Sequence, residues 1–285
     1  MNTVNISLVQ MNALVGKIKD NLAVHKLFIR KAAKQNVQLI CFPELSISGH
    51  WPHPDRWHCA ETVPDGDSIR FLTKLAKQYK LHIAAGIAEK DKTSVYNTYC
   101  IIGPEGFIGG QRKLHPSRDE YFFYRGGTHL HIFDLGFAQI GVVICFDNMF
   151  PEVQRCLAIE GAEIIIMPHA VRCGKKWPLP TSIAAKLRQE QQFLVEHVLA
   201  SRCYDNGQFG LYCNQTGHAG PQVNHAGGLA VIKPDGNTMV SKFAPMSNTM
   251  VCATLNATEL NVRRKSSCFN LLVRKPHLYT ELTKE

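Results

Sequence analysis

"HLHIFDLGFAQIGVVICFDNMFPEVQRCLAIEGAEIIIMP", residues 129 to 168, holds two β-rich runs, a short helical stretch and a third apolar run. The first two, through Cys145, read as a hairpin turning near Gly136. Pro151 opens "PEVQRCLAIEGA" at a first-turn position, where a missing N–H removes no intrahelical bond. "EIIIMP" is apolar enough for a buried strand. A hairpin that feeds a helix and then another strand fits neither a purely parallel sheet nor an all-β fold. It predicts an α/β sandwich.

The same alternation extends outward in both directions. Upstream, "VNISLVQM" reads as a first strand, followed by a helix over "DNLAVHKLFIRKAAKQN" with Asp20 as its cap. "VQLICF" is a buried strand stopped by Pro43, "DSIRFLTKLAKQYK" an amphipathic helix, and "LHIAAGIAE" the next strand. "VYNTYCIIGPEGFIGGQRKL" is a second hairpin. Downstream, one long helix spans Thr181 to about Tyr204 and ends at Asn206-Gly207. "FGLYCNQ", a hairpin turning at Pro234-Asp235-Gly236, "NTMVCATLN" and a C-terminal helix complete the series. No linker, repeat or low-complexity segment interrupts it.

Bulk properties narrow the function. A chain of 285 residues with 45% hydrophobic and 19% charged residues has the composition of a soluble globular protein. No apolar run approaches the roughly 18 residues of a membrane span, and "MNTVNISLVQMN" lacks the pattern of a secretion signal. Ten cysteines in such a chain, none spaced as CxxC, predict reduced thiols in a cytoplasm. The net charge of +9 comes from scattered basic residues, densest in "NVRRKSS". No nucleic-acid-binding motif or aromatic–basic stripe accompanies it, so a nucleic-acid partner is not expected. An anionic substrate stays open.

Four residues invite a chemical reading. Glu44 in "LICFPELSISG" stands just beyond a buried strand, as either a solvated turn residue or a functional group at a sheet edge. Lys113 in "GGQRKLHPSRDEYFFYRGG" ends a hairpin strand, where a lysine commonly lies along the surface. Glu120, beside "YFFY", has aromatic neighbours that would raise its pKa. Cys145 follows the strand "GVVI" where the chain turns polar. A thiol of pKa near 8.5 is a poor nucleophile without a base to take its proton and a cation to hold the following charge. Glu44 and Lys113 are of those types. Metal binding competes, given 13 histidines, but His129 and His131, or His50 and His53, have no carboxylate or cysteine at ligand spacing, and HEXXH is absent. No metal or other cofactor is expected. "GPEGFIGG" leads into a strand and reads as a turn, not as a phosphate loop.

Together, "FPEL", "RKLHPSRDE" and "GVVICFDNMFPE" resemble, in order and context, the motifs of the nitrilase (carbon–nitrogen hydrolase) superfamily. The likeness runs from "ISLVQMNALVG" and "NLAVHKLFIRKAAKQNVQLICFPE" through "RCYDNGQFGLYCNQTG" and "VIKPDG" to "RKPHLYTEL". It implies a four-layer α-β-β-α sandwich, with residues 1–285 as one domain and the tail from about residue 265 reaching a partner in a homodimer or larger homo-oligomer. It implies a Glu44-Lys113-Cys145 site with Glu120 as an additional glutamate and the backbone N–H of Phe146 facing an oxyanion. His169, Asp147 and Trp51 are the expected substrate-binding residues. The implied reaction is hydrolysis of a small amide or N-carbamoyl compound through a cysteine thioester. Phe146-Asp147 after the cysteine resembles the amidase and carbamoylase branches. Nitrile hydrolysis on the same site, or an idle binding or assembly member, are the alternatives. Two segments depart from the family: "GHWPHPDRWHC", rich in His and Trp, and "HAVRCGKKWPLPTS", which should line the substrate entrance.

Overall fold

In the computed structural model, which describes residues 1–50, 53–174, 177–243 and 247–284, the β-rich runs form two six-stranded sheets. The first contains β1 (Val4–Gln10), β2 (Leu39–Cys41), β3 (His82–Asp91), β4 (Ser94–Gly103) and β5 (Gly106–Arg112), with α1 (Ile18–Ala33) and α2 (Asp67–Tyr79) as crossovers. The second contains β6 (Ile132–Asp134), β7 (Gln139–Val142), β8 (Ile164–His169) and β9 (Phe209–Asn214), with α3 (Pro151–Ile159), α4 (Thr181–Phe193) and α5 (Ala200–Asn206) between them. A small hairpin of β10 (Thr216–Gly220) and β11 (Val223–Ala226) follows. Next, β12 (Leu229–Ile232) and β13 (Thr238–Lys242) extend the second sheet. β14 (Thr249–Leu255) returns to pair with β1, and α6 (Ala257–Arg264) follows.

Strand order is β14-β1-β2-β3-β4-β5 in one sheet and β13-β12-β9-β8-β7-β6 in the other. Both are mixed, with a parallel centre flanked by antiparallel hairpins. The period of two sorts the side chains. In β4, Tyr99 and Ile101 enter the core between the sheets, whereas Cys100 and Ile102 face the first helical layer. Ile6, Leu8, Ile164, Ile166 and Leu211 fill the inter-sheet core at 0% exposure, each contributing about 1.5–3 kcal/mol by leaving water. Ile29, Leu72 and Ala76 close one outer face; Leu157, Val195 and Leu199 close the other. The layers are α-β-β-α, as the sequence implied. No described helix is long and apolar enough to cross a membrane.

Three local readings are refined. Asp20 lies in the first turn of α1 and not at its cap, since the helix begins at Ile18 and has no side-chain cap. A carboxylate there still favours the positive end of the helix dipole. The long helix is interrupted by a π-helical turn at Leu194–Leu199. The β10–β11 hairpin, whose strands are short and whose β10 carries two glycines, has no counterpart in the sequence reading.

Strand direction gathers the functional segments. β2 and β3 are parallel, and two antiparallel pairings from β3 through β4 to β5 restore the same direction. The carboxyl ends of β2 and β5 therefore lie at one edge of their sheet. Open α/β sheets place ligands at such ends.

Candidate active site

Glu44 follows β2 in a tight turn with Leu45 at φ +48°. That turn lies flat against β3, because a Cβ on Gly86 would stand 2.1 Å from the Leu45 nitrogen. The Glu44 carbonyl accepts a 2.7 Å bond from Gln215 Nε2, which fixes the backbone from the opposite sheet. Its side chain is 0% exposed. Oε1 accepts from Asn97 Nδ2 at 2.7 Å and from Lys113 Nζ at 2.8 Å. Oε2 is buried and has no hydrogen-bond partner among the described residues. One oxygen anchors the carboxylate and leaves the other able to accept a proton.

Lys113 directly follows β5, and its backbone N–H donates to the Asn97 carbonyl at 2.8 Å. The side chain is only 1% exposed, so it does not lie along the surface. Nζ bonds to Glu44 Oε1 and Glu120 Oε2, each at 2.8 Å. Burial would push this ammonium toward neutrality, but the Glu44 and Glu120 carboxylates outweigh it and keep the lysine charged. Glu120 sits in a short 3-10 helix whose Ser117 donates both N–H and Oγ–H to Glu120 Oε2. Burial raises its pKa, as the aromatic neighbourhood suggested, but hydrogen bonding from His50 and the charge of Lys113 reverse the sign. The carboxyl is held well below its usual range.

Cys145 stands three residues beyond the end of β7, at φ +49° in the left-handed region. It opens a 3-10 turn, Cys145–Met149, whose first N–H groups have no intrahelical acceptor. Phe146 N–H is one of these. Asn148 Nδ2 braces the turn by donating to the carbonyls of Val143 at 2.9 Å and Cys145 at 3.0 Å. Burial and the nearby Glu44 charge push the thiol up, against a smaller opposing pull from Lys113. At neutral pH the thiol is therefore protonated and needs a base at the moment of attack.

Lys113, Cys145, Phe146 and His169 line one cavity of about 320 Å³, with Glu44 and Glu120 buried behind Lys113. His169 Nδ1 donates to the Met167 carbonyl at 2.9 Å, and Nε2 has no partner among the described residues. Burial lowers its pKa to about 4, so the ring is neutral and Nε2 is an acceptor. Gln191, from α4, also lines the cavity. Its Oε1 accepts from Tyr212 Oη at 2.5 Å and Asn214 Nδ2 at 3.4 Å. The orientation of Asn214 is set in turn by the Val171 N–H on its Oδ1, so the Gln191 amide N–H2 is left as the donor for a ligand. Arg172, from the unusual entrance segment, lines the wall and pairs with Asp119.

Asp147 is a correction. It lies outside the cavity lining, and its carboxylate accepts from Leu114 N, His115 N and His115 Nδ1 at 2.8–3.1 Å. It ties the Lys113 loop to the Cys145 turn and has no oxygen to offer a substrate. Trp51 lies outside the described residues. Asn97 and Gln191 went unread in the sequence, and His50 was weighed only as a metal ligand. Asn97 had a signal: the strand period places it on the same face as Tyr99 and Ile101, inside the sandwich, where an amide needs a partner. Glu44, His50 and Glu120 bring three ligand-type atoms within 4.8 Å, but Lys113 Nζ already bonds to both carboxylates and supplies the cation there.

Comparison with known proteins agrees with this architecture. The carbon-nitrogen hydrolase family model matches residues 5–264, and the chain belongs to that family. It is 38% identical over 178 residues to a nitrilase of Pyrococcus abyssi, covering 59% of this chain and 68% of that protein. It is 30% identical over 240 residues to the 2-oxoglutaramate amidase of Bacillus subtilis, covering 82% and 84%. Several other curated relatives are matched over less than two thirds of their length. The crystal structure of Saccharomyces cerevisiae Nit3, of the nitrilase superfamily, superposes with a TM-score of 0.81 at 22% identity, covering 96% of this chain and 97% of that one.

Proposed function

We propose that the protein hydrolyses the C–N bond of a small amide or N-carbamoyl compound through a Cys145 thioester. The observation that carries this reading is Glu44 Oε2, without a hydrogen-bond partner among the described residues, beside a Lys113-anchored Oε1 in a site whose thiol is held protonated. Glu44 Oε2 takes the thiol proton as sulfur bonds to the carbonyl carbon. The C=O electron pair moves onto oxygen, where Lys113 and the Phe146 N–H stabilise it. Collapse breaks the C–N bond, and Glu44 returns the proton to the departing amine. Glu44 then accepts a proton from water as the hydroxide adds to the thioester. A second collapse expels the thiolate, which recovers its proton, and the acid leaves. Glu120 is the group that holds Lys113. His169 Nε2 and the Gln191 amide supply one acceptor and one donor to orient the substrate.

Amides and carbamoyl compounds are favoured over nitriles because Phe146-Asp147 follows the cysteine. The P. abyssi relative is named a nitrilase and the B. subtilis one an amidase, so one assay should hold both bond types. An idle binding role would give no physical reason for a buried lysine between two carboxylates. We further assign the chain to the cytoplasm, its described cysteines all being free. As a single domain it would pair through the tail from about residue 265, which exposes Leu272, Val273, Leu278 and Leu282 at 64–67%. The purified full chain should release ammonia from members of a panel of amides, carbamoyl compounds and nitriles. Amides or carbamoyl compounds should be the best substrates, and Cys145→Ala should abolish turnover while keeping the unfolding midpoint. Activity retained by Cys145→Ala would overturn the mechanism; faster nitrile turnover would overturn the bond assignment.

A further inference from the structure

The reaction as drawn gives no task to His50, which lies at the start of the His-rich loop that departs from the family. It is 4% exposed, six residues beyond Glu44. Gly49 before it adopts φ +75°, and a Cβ there would sit 2.7 Å from the Val15 Cα, so the chain is pinned where it enters the loop. His50 Nε2 is 3.0 Å from Glu120 Oε1.

The two oxygens of Glu120 are served unequally. Oε2 accepts from Lys113 Nζ, Ser117 N and Ser117 Oγ. His50 is the one hydrogen-bond partner of Oε1 among the described residues. Three donors hold one oxygen, and the other depends on His50. Without that donor Oε1 would be a buried carboxylate oxygen lacking a hydrogen bond among the described residues, and the group would shift toward any donor it could reach. Because Oε1 accepts, His50 carries its proton on Nε2. The far nitrogen, Nδ1, is buried without a partner among the described residues, and the His225 ring stands edge-on at 6.1 Å.

We propose that His50 is a positioning residue: its Nε2–H holds Glu120 Oε1, and Glu120 in turn holds the Lys113 ammonium beside Glu44 and the developing oxyanion. The inference rests on the amide-hydrolase reading above for its kinetic consequence but on geometry alone for its effect on Lys113 and Cys145. His50 also lines the cavity; support through Glu120 lowers kcat, whereas a substrate contact would raise KM.

Three variants of the full chain test this. His50→Phe and His50→Met remove the donor while keeping bulk. His50→Gln keeps one, since a glutamine amide nitrogen reaches about as far as imidazole Nε2. With the best amide found, His50→Phe and His50→Met should lower kcat about 10- to 100-fold, the scale on which misplaced catalytic groups act, with KM changed less than about threefold on that same footing. His50→Gln should recover most of kcat. Alkylation of Cys145 by iodoacetamide needs no substrate. Because Lys113 and Glu44 set the state of that thiol, the reaction should change rate in the Phe and Met variants and return toward the parent rate in Gln. If the parent protein turns over no amide or carbamoyl compound, the proposed function fails while the alkylation arm still decides the role of His50. Unchanged kcat or alkylation in a folded donor-free variant overturns the proposal. So does a Gln variant as impaired as the other two, or a rise in KM with kcat unchanged, which would make His50 a substrate contact. Should His50→Phe fail to fold, the Met and Gln pair carries the same comparison.

Discussion

Replacing Lys113 by methionine isolates the electrostatic core of the site. The side chain is 1% exposed and bonds to two carboxylates that are themselves 0% and 1% exposed. Without the ammonium, Glu44 and Glu120 would share a buried space as like charges. Breaking a buried ion pair from one side costs about 3–5 kcal/mol, and that is the deficit expected at pH 7.5. The deficit should depend on pH. In the parent, the carboxyl of Glu120 is depressed below its unfolded value; it adds stability above that value and loses it as pH falls through the folded pKa. In Lys113→Met, burial without a counter-charge raises at least one carboxyl above its unfolded pKa near 4.3. A raised group is least destabilising once it is protonated, so the deficit should shrink as pH falls toward 5. One proton bound across those 2.5 pH units corresponds to about 3.4 kcal/mol, enough to remove most of the difference. Denaturant unfolding of both proteins at pH 7.5, 6.5 and 5 measures it. Effects common to both chains cancel in the comparison. A deficit under about 1 kcal/mol that stays flat over this range would refute the picture of a lysine neutralising two buried carboxylates. Turnover by Lys113→Met should fall by about 10²–10³ or more, as for loss of an oxyanion donor.

Other consequences can be checked separately. Glu44→Gln should bind substrate yet turn over several orders of magnitude more slowly, since an amide neither takes nor returns the proton; single-turnover rates would expose it. Gly86→Ala should displace the Glu44 turn, because its Cβ would meet the Leu45 nitrogen at 2.1 Å. A stability loss of about 1–3 kcal/mol should accompany a larger loss of kcat, and full activity would show that the turn has slack. Burial holds His25 and His169 near pKa 4 and His225 near 3, all below the ordinary histidine value of 6.5. The unfolded chain therefore takes up protons first, and stability present above pH 6.5 should drain as pH falls toward 4. At pH 5.5 the three sites together should cost about 4 kcal/mol. An unfolding free energy constant from pH 8 to 5 would contradict it.

Much of this site was legible because strand ends announce themselves. Glu44, Lys113 and Cys145 each follow a β-rich run closely, and hydrophobic periodicity marks those runs in the chain. The sandwich was legible for the same reason: hairpins and amphipathic helices alternate from end to end. Asp147 was misassigned because sequence proximity to the nucleophile cannot say which way a side chain points. The 3-10 turn rotates it toward the backbone of Leu114 and His115, away from the cavity. Glu120 was given the wrong sign of shift because the sequence does not show the Lys113 ammonium and the His50 ring that fold onto it. Tyr121 and Phe122 are 63% and 82% exposed, while His50, 70 positions away, makes the bond that matters.

Asn97 marks the boundary between what a sequence yields and what a fold adds. Its strand phase points it inward, and a buried amide must find partners, so a role for it could be inferred. Which partners it finds depends on two sheet pairings. β3–β4 sets Asn97 opposite Ala88, and β4–β5 brings the chain back so that Lys113 N–H meets the Asn97 carbonyl. Its side chain then reaches Glu44, 53 positions away. One residue thus holds the backbone of Lys113 and the carboxylate of Glu44. Registry between strands, more than any motif, brings these two groups to 2.8 Å.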